Sequence, residues 1–97
     1  KTATIVPQAL MTQAQLYFKD NNPSKAQENY LTILKDYPHG LLAAESCYEL
    51  AKLYQYEFND LENTMKYFEK IIFEYPSSIF FVEARRRFRQ LRGDNLN

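Results

Sequence analysis

The sequence predicts an all-α fold, an α-solenoid in which five helices stack as two and a half helix-turn-helix repeats. Three observations carry this reading. Apolar residues recur three and four apart along almost all of the 97 residues, and no window alternates strictly for long enough to make a strand. Proline, glycine or a pair of asparagines interrupts that periodicity at regular intervals. The chain also repeats itself: Tyr37-Pro38 and Tyr75-Pro76 stand 38 residues apart, and in the same frame Tyr30 meets Phe68, Ile33 meets Ile71, Glu45 meets Glu83 and Leu53 meets Leu91. A period of roughly 20 to 50 residues marks units that bury their apolar faces only by stacking on one another.

Each element follows from its own signals. Pro7 suits the first turn of helix one, which runs to about Asp20 and is broken by Asn21-Asn22. Asn22 caps helix two with Pro23 at its first position, and that helix ends near Asp36, ahead of Pro38. Helix three follows Gly40 and runs to about Tyr56. Asn59 with Glu62 three residues later predicts a capping box for helix four, which Pro76 closes. Ser77 or Ser78 is expected to cap helix five, which ends at Arg92 with Gly93 as its terminating residue. Residues 1–97 are thus expected to form one domain, with repeat one at about 7–40, repeat two at about 41–76 and a half-repeat cap at about 77–93.

Composition narrows the function classes. With 45% apolar residues, 25% charged residues and two Gly, the chain is neither collagen-like nor disordered. A domain this small hides only about 60% of its unfolded surface, which argues against a deep substrate chamber. Its one Cys cannot form an internal disulfide. The chain opens at Lys1, as a processed or trimmed chain would, and it shows neither a signal peptide nor an apolar run that spans a bilayer. The net charge of zero conceals a polarity: residues 1–84 hold seven Lys against eleven acids, whereas every Arg lies between 85 and 92. This is a local basic feature rather than the broad field of a nucleic-acid binder. The arginines also lack a stacking aromatic on their own face, which speaks further against RNA.

The repeat resembles the tetratricopeptide repeat. A unit starting at Pro7 puts Leu10, Ala14, Tyr17, Ala26, Tyr30 and Pro38 on signature positions, and one starting at Ala44 gives Leu50, Ala51 and Tyr54, then Thr64, Phe68 and Pro76 after a one-residue insertion. Small residues such as Ala14 and Ala26 let two helices approach closely while aromatics fill the space around the crossing. Ile33 and Ile71 stand where a small residue is usual, and Thr64 where Ala is usual, so slightly wider packing between units is expected. Helix five aligns with the first helix of a third unit. Phe80, Ala84, Phe88 and Leu91 form a stripe that covers helix four, and Arg85, Arg89 and Arg92 take the positions where a following helix would pack, as expected of a solenoid cap.

No catalytic constellation is visible. His39 stands alone in a Pro-His-Gly turn, Cys47 reads as a small packing residue, and Glu45 with Glu49 reads as a solvated acidic face; no cofactor and no metal are expected. The resemblance implies a concave surface made by the first helix of each unit, lined by Met11, Gln15, Phe18, Tyr48, Lys52, Tyr56, Glu83, Arg86 and Gln90, whose mixed aromatic and polar character suits an extended peptide. Relatives that clamp the terminal carboxylate of a chaperone carry Lys and Asn where this chain has Met11, Gln15, Glu49 and Glu83; only Arg87 is in register, which argues against a co-chaperone. A second candidate surface is the ridge of Arg85, Arg89 and Arg92, which lie within about 60° on one helix and can pair with an acidic partner segment.

Within the tetratricopeptide proteins, the Tyr-Pro turns, the 38-residue spacing and the long first helices look like the BamD family, lipoproteins of the outer-membrane β-barrel assembly machinery. That resemblance implies a monomeric, non-catalytic scaffold on the periplasmic side of the bacterial outer membrane that binds the BamA-type barrel protein. It would touch the membrane only through a lipid-bearing Cys that these residues lack. The alternative is another periplasmic or cytosolic tetratricopeptide adaptor, such as a cell-division coordinator.

Overall fold

The computed structural model describes residues 6–93, among which there are five helices and no strand: α1 (Pro7–Lys19), α2 (Pro23–Asp36), α3 (Ala43–Tyr56), α4 (Leu61–Glu74) and α5 (Phe81–Arg92). The helices pack in chain order, with denser contact within the pairs α1/α2 and α3/α4 than across the joint between α2 and α3. The result is an elongated body of 53 × 29 × 18 Å.

One continuous core runs through the stack. Ala14, Ala26, Ile33, Cys47, Leu50, Ala51, Phe68, Ile71 and Ala84 are fully buried in it, so both isoleucines that replace small family residues are absorbed without reaching solvent. The two buried polar residues are satisfied locally: Ser46 Oγ donates to the Leu42 carbonyl and Thr64 Oγ1 to the Asp60 carbonyl, each at 2.8 Å. Thr64 therefore uses its hydroxyl within the first turn of α4 while the rest of the side chain packs. Between units, Gln27 Nε2 donates to Tyr54 Oη at 2.7 Å, and Tyr75 Oη donates to the Pro38 carbonyl at 2.7 Å, joining the two Tyr-Pro turns.

Helix starts depart from the sequence reading in two places. The cap of α4 is Asp60, whose carboxylate accepts the Asn63 amide at 3.1 Å; Asn59 instead takes the left-handed conformation, φ 50°, that turns the chain before the cap. Asn21, 38 positions earlier, does the same at φ 59°, ahead of the capping Asn22. Glu62 consequently has no capping box to close. The second departure is α5, which is preceded by Phe80 rather than capped by Ser77 or Ser78. Ser78 Oγ accepts the Phe80 amide at 3.0 Å, and the chain enters the helix through Ser78 N–H to the Tyr75 carbonyl and Phe81 N–H to the Ser78 carbonyl. The same bonds, Gly40 N–H to Tyr37 and Ala43 N–H to Gly40, introduce α3 behind Leu42. A hydrogen-bonded turn thus replaces a polar cap at both unit boundaries. Gly93 adopts φ 92° after Arg92, the left-handed ending expected of it.

Candidate functional site

An open groove of about 460 Å³ lies between the C-terminal halves of α1 and α3. Gln15, Phe18 and Lys19 form one wall, Glu49, Lys52, Leu53, Tyr56 and Glu57 the other, and Tyr30 rises from α2 between them. Both walls follow from helical period, because residues three and four apart share a face. Phe18 is 48% exposed and Tyr56 63% exposed, so each offers a ring to a ligand without having to leave the core. Lys52 pairs with Glu49 at 3.4 Å, which balances charge along the α3 wall. Burial, with Glu49 and Glu45 nearby, raises the Tyr30 phenol above its ordinary value and keeps it neutral. The groove therefore presents apolar rings, both signs of charge and a neutral tyrosine.

Of the residues expected along the concave face, Gln15, Phe18, Lys52 and Tyr56 line this groove. Met11 does not. It is 2% exposed and belongs to the core, because one turn closer to the start of α1 the same helical face turns under the packed helices. Tyr48 also lies outside the groove, one turn before Lys52. Its ring stacks on Phe80 with centroids 5.0 Å apart and meets Phe68 edge-on at 6.1 Å, while Lys52 Nζ and the Arg87 guanidinium lie 5.0 and 5.6 Å from its centre. Arg86 and Gln90 are exposed on α5 and bond to one another at 3.2 Å. Arg86 and Arg87 both engage Glu83, and those donated bonds hold its carboxyl down at about 2. Arg87, the only residue in clamp register, is thus committed to Glu83 and Tyr48. Lys19, Tyr30, Leu53 and Glu57 were not anticipated as groove residues, and Glu49 was read as part of a solvated face. Three- and four-residue spacing from Gln15 and Lys52 points to Lys19, Glu49 and Tyr56, whereas Tyr30 comes from the other helix of its unit and only the packing reveals it.

The second candidate surface lies at the opposite end. Arg85, Arg89 and Arg92 run along α5 and, with Phe88, form one side of an open cleft of about 420 Å³ whose other side is Glu69, Ile72 and Phe73 of α4. The Arg92 guanidinium sits 5.3 Å from the centre of the Phe88 ring, so this basic stripe does share its face with an aromatic, contrary to the sequence reading; the side chain bends back over its own helix to reach it.

Burial pushes the Cys47 thiol up to about 12, which keeps it an unreactive packing group. His39 is exposed in its turn. Among the described residues no three His, Cys, Asp or Glu side chains gather to hold a metal, and no helix is long and apolar enough to cross a membrane.

Comparison with known proteins agrees with this geometry. The tetratricopeptide repeat family matches residues 8–40 and 45–78, so that each match holds one helical pair. No curated protein and no solved structure matches the chain.

Proposed function

The chain belongs to the tetratricopeptide repeat family, whose repeats are protein-interaction modules, and from that premise we propose that it acts as a BamD-like component of the outer-membrane β-barrel assembly machinery. In this reading it works as a monomeric scaffold on the periplasmic side of the outer membrane and takes the periplasmic region of a BamA-type barrel protein as its partner. The observation that supports the subtype is the joint between units. The resemblance rests on Tyr-Pro turns 38 residues apart and on the first helices, and in the fold those two turns are tied together by the bond from Tyr75 to the Pro38 carbonyl. The groove between α1 and α3 is the natural place for a polypeptide partner, with Phe18 and Tyr56 as anchors. The lipid-bearing Cys of that family is not among these residues, whose single Cys is buried in the core.

Titration calorimetry of the purified chain against the purified periplasmic region of a BamA-type protein tests the proposal. Saturable binding is expected, weakened at least about tenfold when Phe18→Ala and Tyr56→Ala are combined. Absence of heat at concentrations of about 100 μM overturns the barrel-assembly reading and favours a different adaptor role.

A further inference from the structure

Three features of the groove between α1 and α3 stand unused among the described residues. Tyr30 is only 3% exposed, yet it lines the groove and its hydroxyl makes no hydrogen bond there. Phe18 and Tyr56 hold no cation, although Lys25, Lys52, Lys66, Arg87 and Arg92 each sit 5.0 to 5.8 Å from the centre of some other ring. Glu57 follows the end of α3 as an exposed carboxylate with no ion pair. An acid at that position opposes the helix dipole, so Glu57 is not there to steady α3. The charges around the groove do not cancel. Lys52 pairs with Glu49 and lies over Tyr48, and Arg87, which feels the Tyr56 phenol, pairs with Glu83. Left over are the carboxylates of Glu57 and of Glu45, whose charge reaches the Tyr30 hydroxyl along with that of Glu49, against Lys19 at the rim. Asp20, next to Lys19, offsets it.

We propose that the groove holds an extended segment of a partner protein by one basic side chain, whose stem lies between Phe18 and Tyr56 and whose charge meets Glu57, while the Tyr30 hydroxyl donates to a carbonyl of the same segment. The rings offer their faces to a guanidinium or ammonium group, and the surplus of carboxylates favours that charge over its opposite. An acidic side chain would stand beside Glu57 and Glu45 with only Lys19 to answer it. An aliphatic one would satisfy the rings and gain nothing from Glu57. The Tyr30 hydroxyl, held by a packed ring, reaches a main-chain acceptor at little ordering cost. The groove lies on the flank of the stack. Helices pack in chain order, so further units before Val6 or after Gly93 would lengthen the ends and leave the flank open. The proposal rests on the reading of this groove as a polypeptide site and not on the barrel-assembly partner.

The test uses the full chain and synthetic peptides of about nine residues, built from Ser, Thr and Val with Arg, Leu or Glu at the centre, acetylated and amidated so that their ends carry no charge. Amide shifts of Phe18, Tyr30, Tyr56 and Glu57, followed by NMR, are expected to show saturable binding of the Arg peptide. Binding should be at least about threefold weaker for the Leu peptide and about tenfold weaker for the Glu peptide, with the difference shrinking as salt rises. Glu57→Lys should reverse the order of the Arg and Glu peptides without lowering the melting temperature, a gain that misfolding cannot produce. Tyr30→Phe should weaken all three alike, by about threefold to tenfold. Equal affinity for the three peptides would leave a polypeptide groove and overturn the choice of a basic side chain. An order that Glu57→Lys does not change, self-association of the chain that Glu57→Lys abolishes, or no shift at about 5 mM, as of a groove filled by this chain's own further residues, would each overturn the proposal too. Heat against the BamA-type region alongside any of these results leaves the barrel-assembly reading standing, so the two failures separate.

Discussion

Helices α3 and α5 occupy the same place in the repeat and use it in opposite ways. α3 is gripped from two sides, with Ser46, Cys47, Leu50 and Ala51 all fully buried; on α5 only Ala84, the counterpart of Ser46, reaches that depth. The shared small residue seats each helix on the preceding unit, and the turn that introduces each one is hydrogen-bonded in the same pattern. What differs is the stripe a few positions on. Small and apolar side chains make it a joint, whereas arginines make it a surface. Backbone placement and surface chemistry are thus set by separate residues of one helix, so each can be altered alone.

The sharpest way to break the comparison is to move the arginine. Ala51→Arg places on α3 what α5 carries at Arg89, and there the guanidinium has no route to water. A loss of about 3 to 5 kcal/mol is expected, enough to unfold a small domain, read from urea denaturation. The reverse change, Arg89→Ala, removes a half-buried side chain at the margin of the stack and should cost no more than about 1 kcal/mol. Comparable effects in the two variants would mean that the frame relating α3 to α5 is wrong.

A smaller effect probes the first unit, where Ala14 and Ala26 are both fully buried. Enlarging either one to Leu forces the helices of the pair apart, at an expected cost of about 1 to 3 kcal/mol by the same measurement. An unchanged midpoint for both would place the close crossing elsewhere.

These residues also show what the sequence could and could not tell. Helix number, order and most boundaries were legible because prolines and asparagines interrupt an otherwise steady apolar period, and because buried alanines recur at fixed places. The start of α4 was misread although the chain contained the answer. Asn21 and Asn22 lie 38 positions before Asn59 and Asp60, so the same division of labour, one residue turning the chain and the next capping, applies twice. Either residue type can do either job, and only the frame distinguishes them. The start of α5 was misread for a different reason: a turn with no polar cap leaves no signature at the capping position itself. Met11 shows a third limit, since helical period gives direction around the axis and says nothing about depth. Tyr30 was missed because its groove neighbours come from other helices.

Caps offer the next contrast. Asn22 Oδ1 accepts the Lys25 amide at 3.3 Å, so Asn22→Ala should cost about 1 kcal/mol of stability. Ser77, outside any capping role, should tolerate Ala within about 0.5 kcal/mol. A larger loss at Ser77 than at Asn22 in paired thermal melts would contradict the observed start of α5.

The smallest expected effect concerns how α5 is steadied without a second helix packed over it among the described residues. Glu83 takes bonds from Arg86 and Arg87, while its counterpart Glu45 on α3 is followed at those spacings by Tyr48 and Glu49. The Glu83 carboxyl is held at about 2, below its ordinary 4.5. A depressed carboxyl contributes its stabilisation above the ordinary value and loses it as pH falls through the lowered one, so the ion pairs persist through mild acid and fail only near pH 2. Because the Glu83 side chain is 36% exposed, solvent screens the interaction in part, and the consequence is fraying of the first turns of α5 rather than loss of the fold. Amide chemical shifts of Ala84 through Arg87, followed by NMR during acid titration, should show an inflection near pH 2 that Glu83→Gln removes and Glu45→Gln leaves in place. An inflection near 4.5 would mean that the two arginines do not hold this carboxylate in solution, and α5 would then owe its order to Ala84 and its apolar stripe alone.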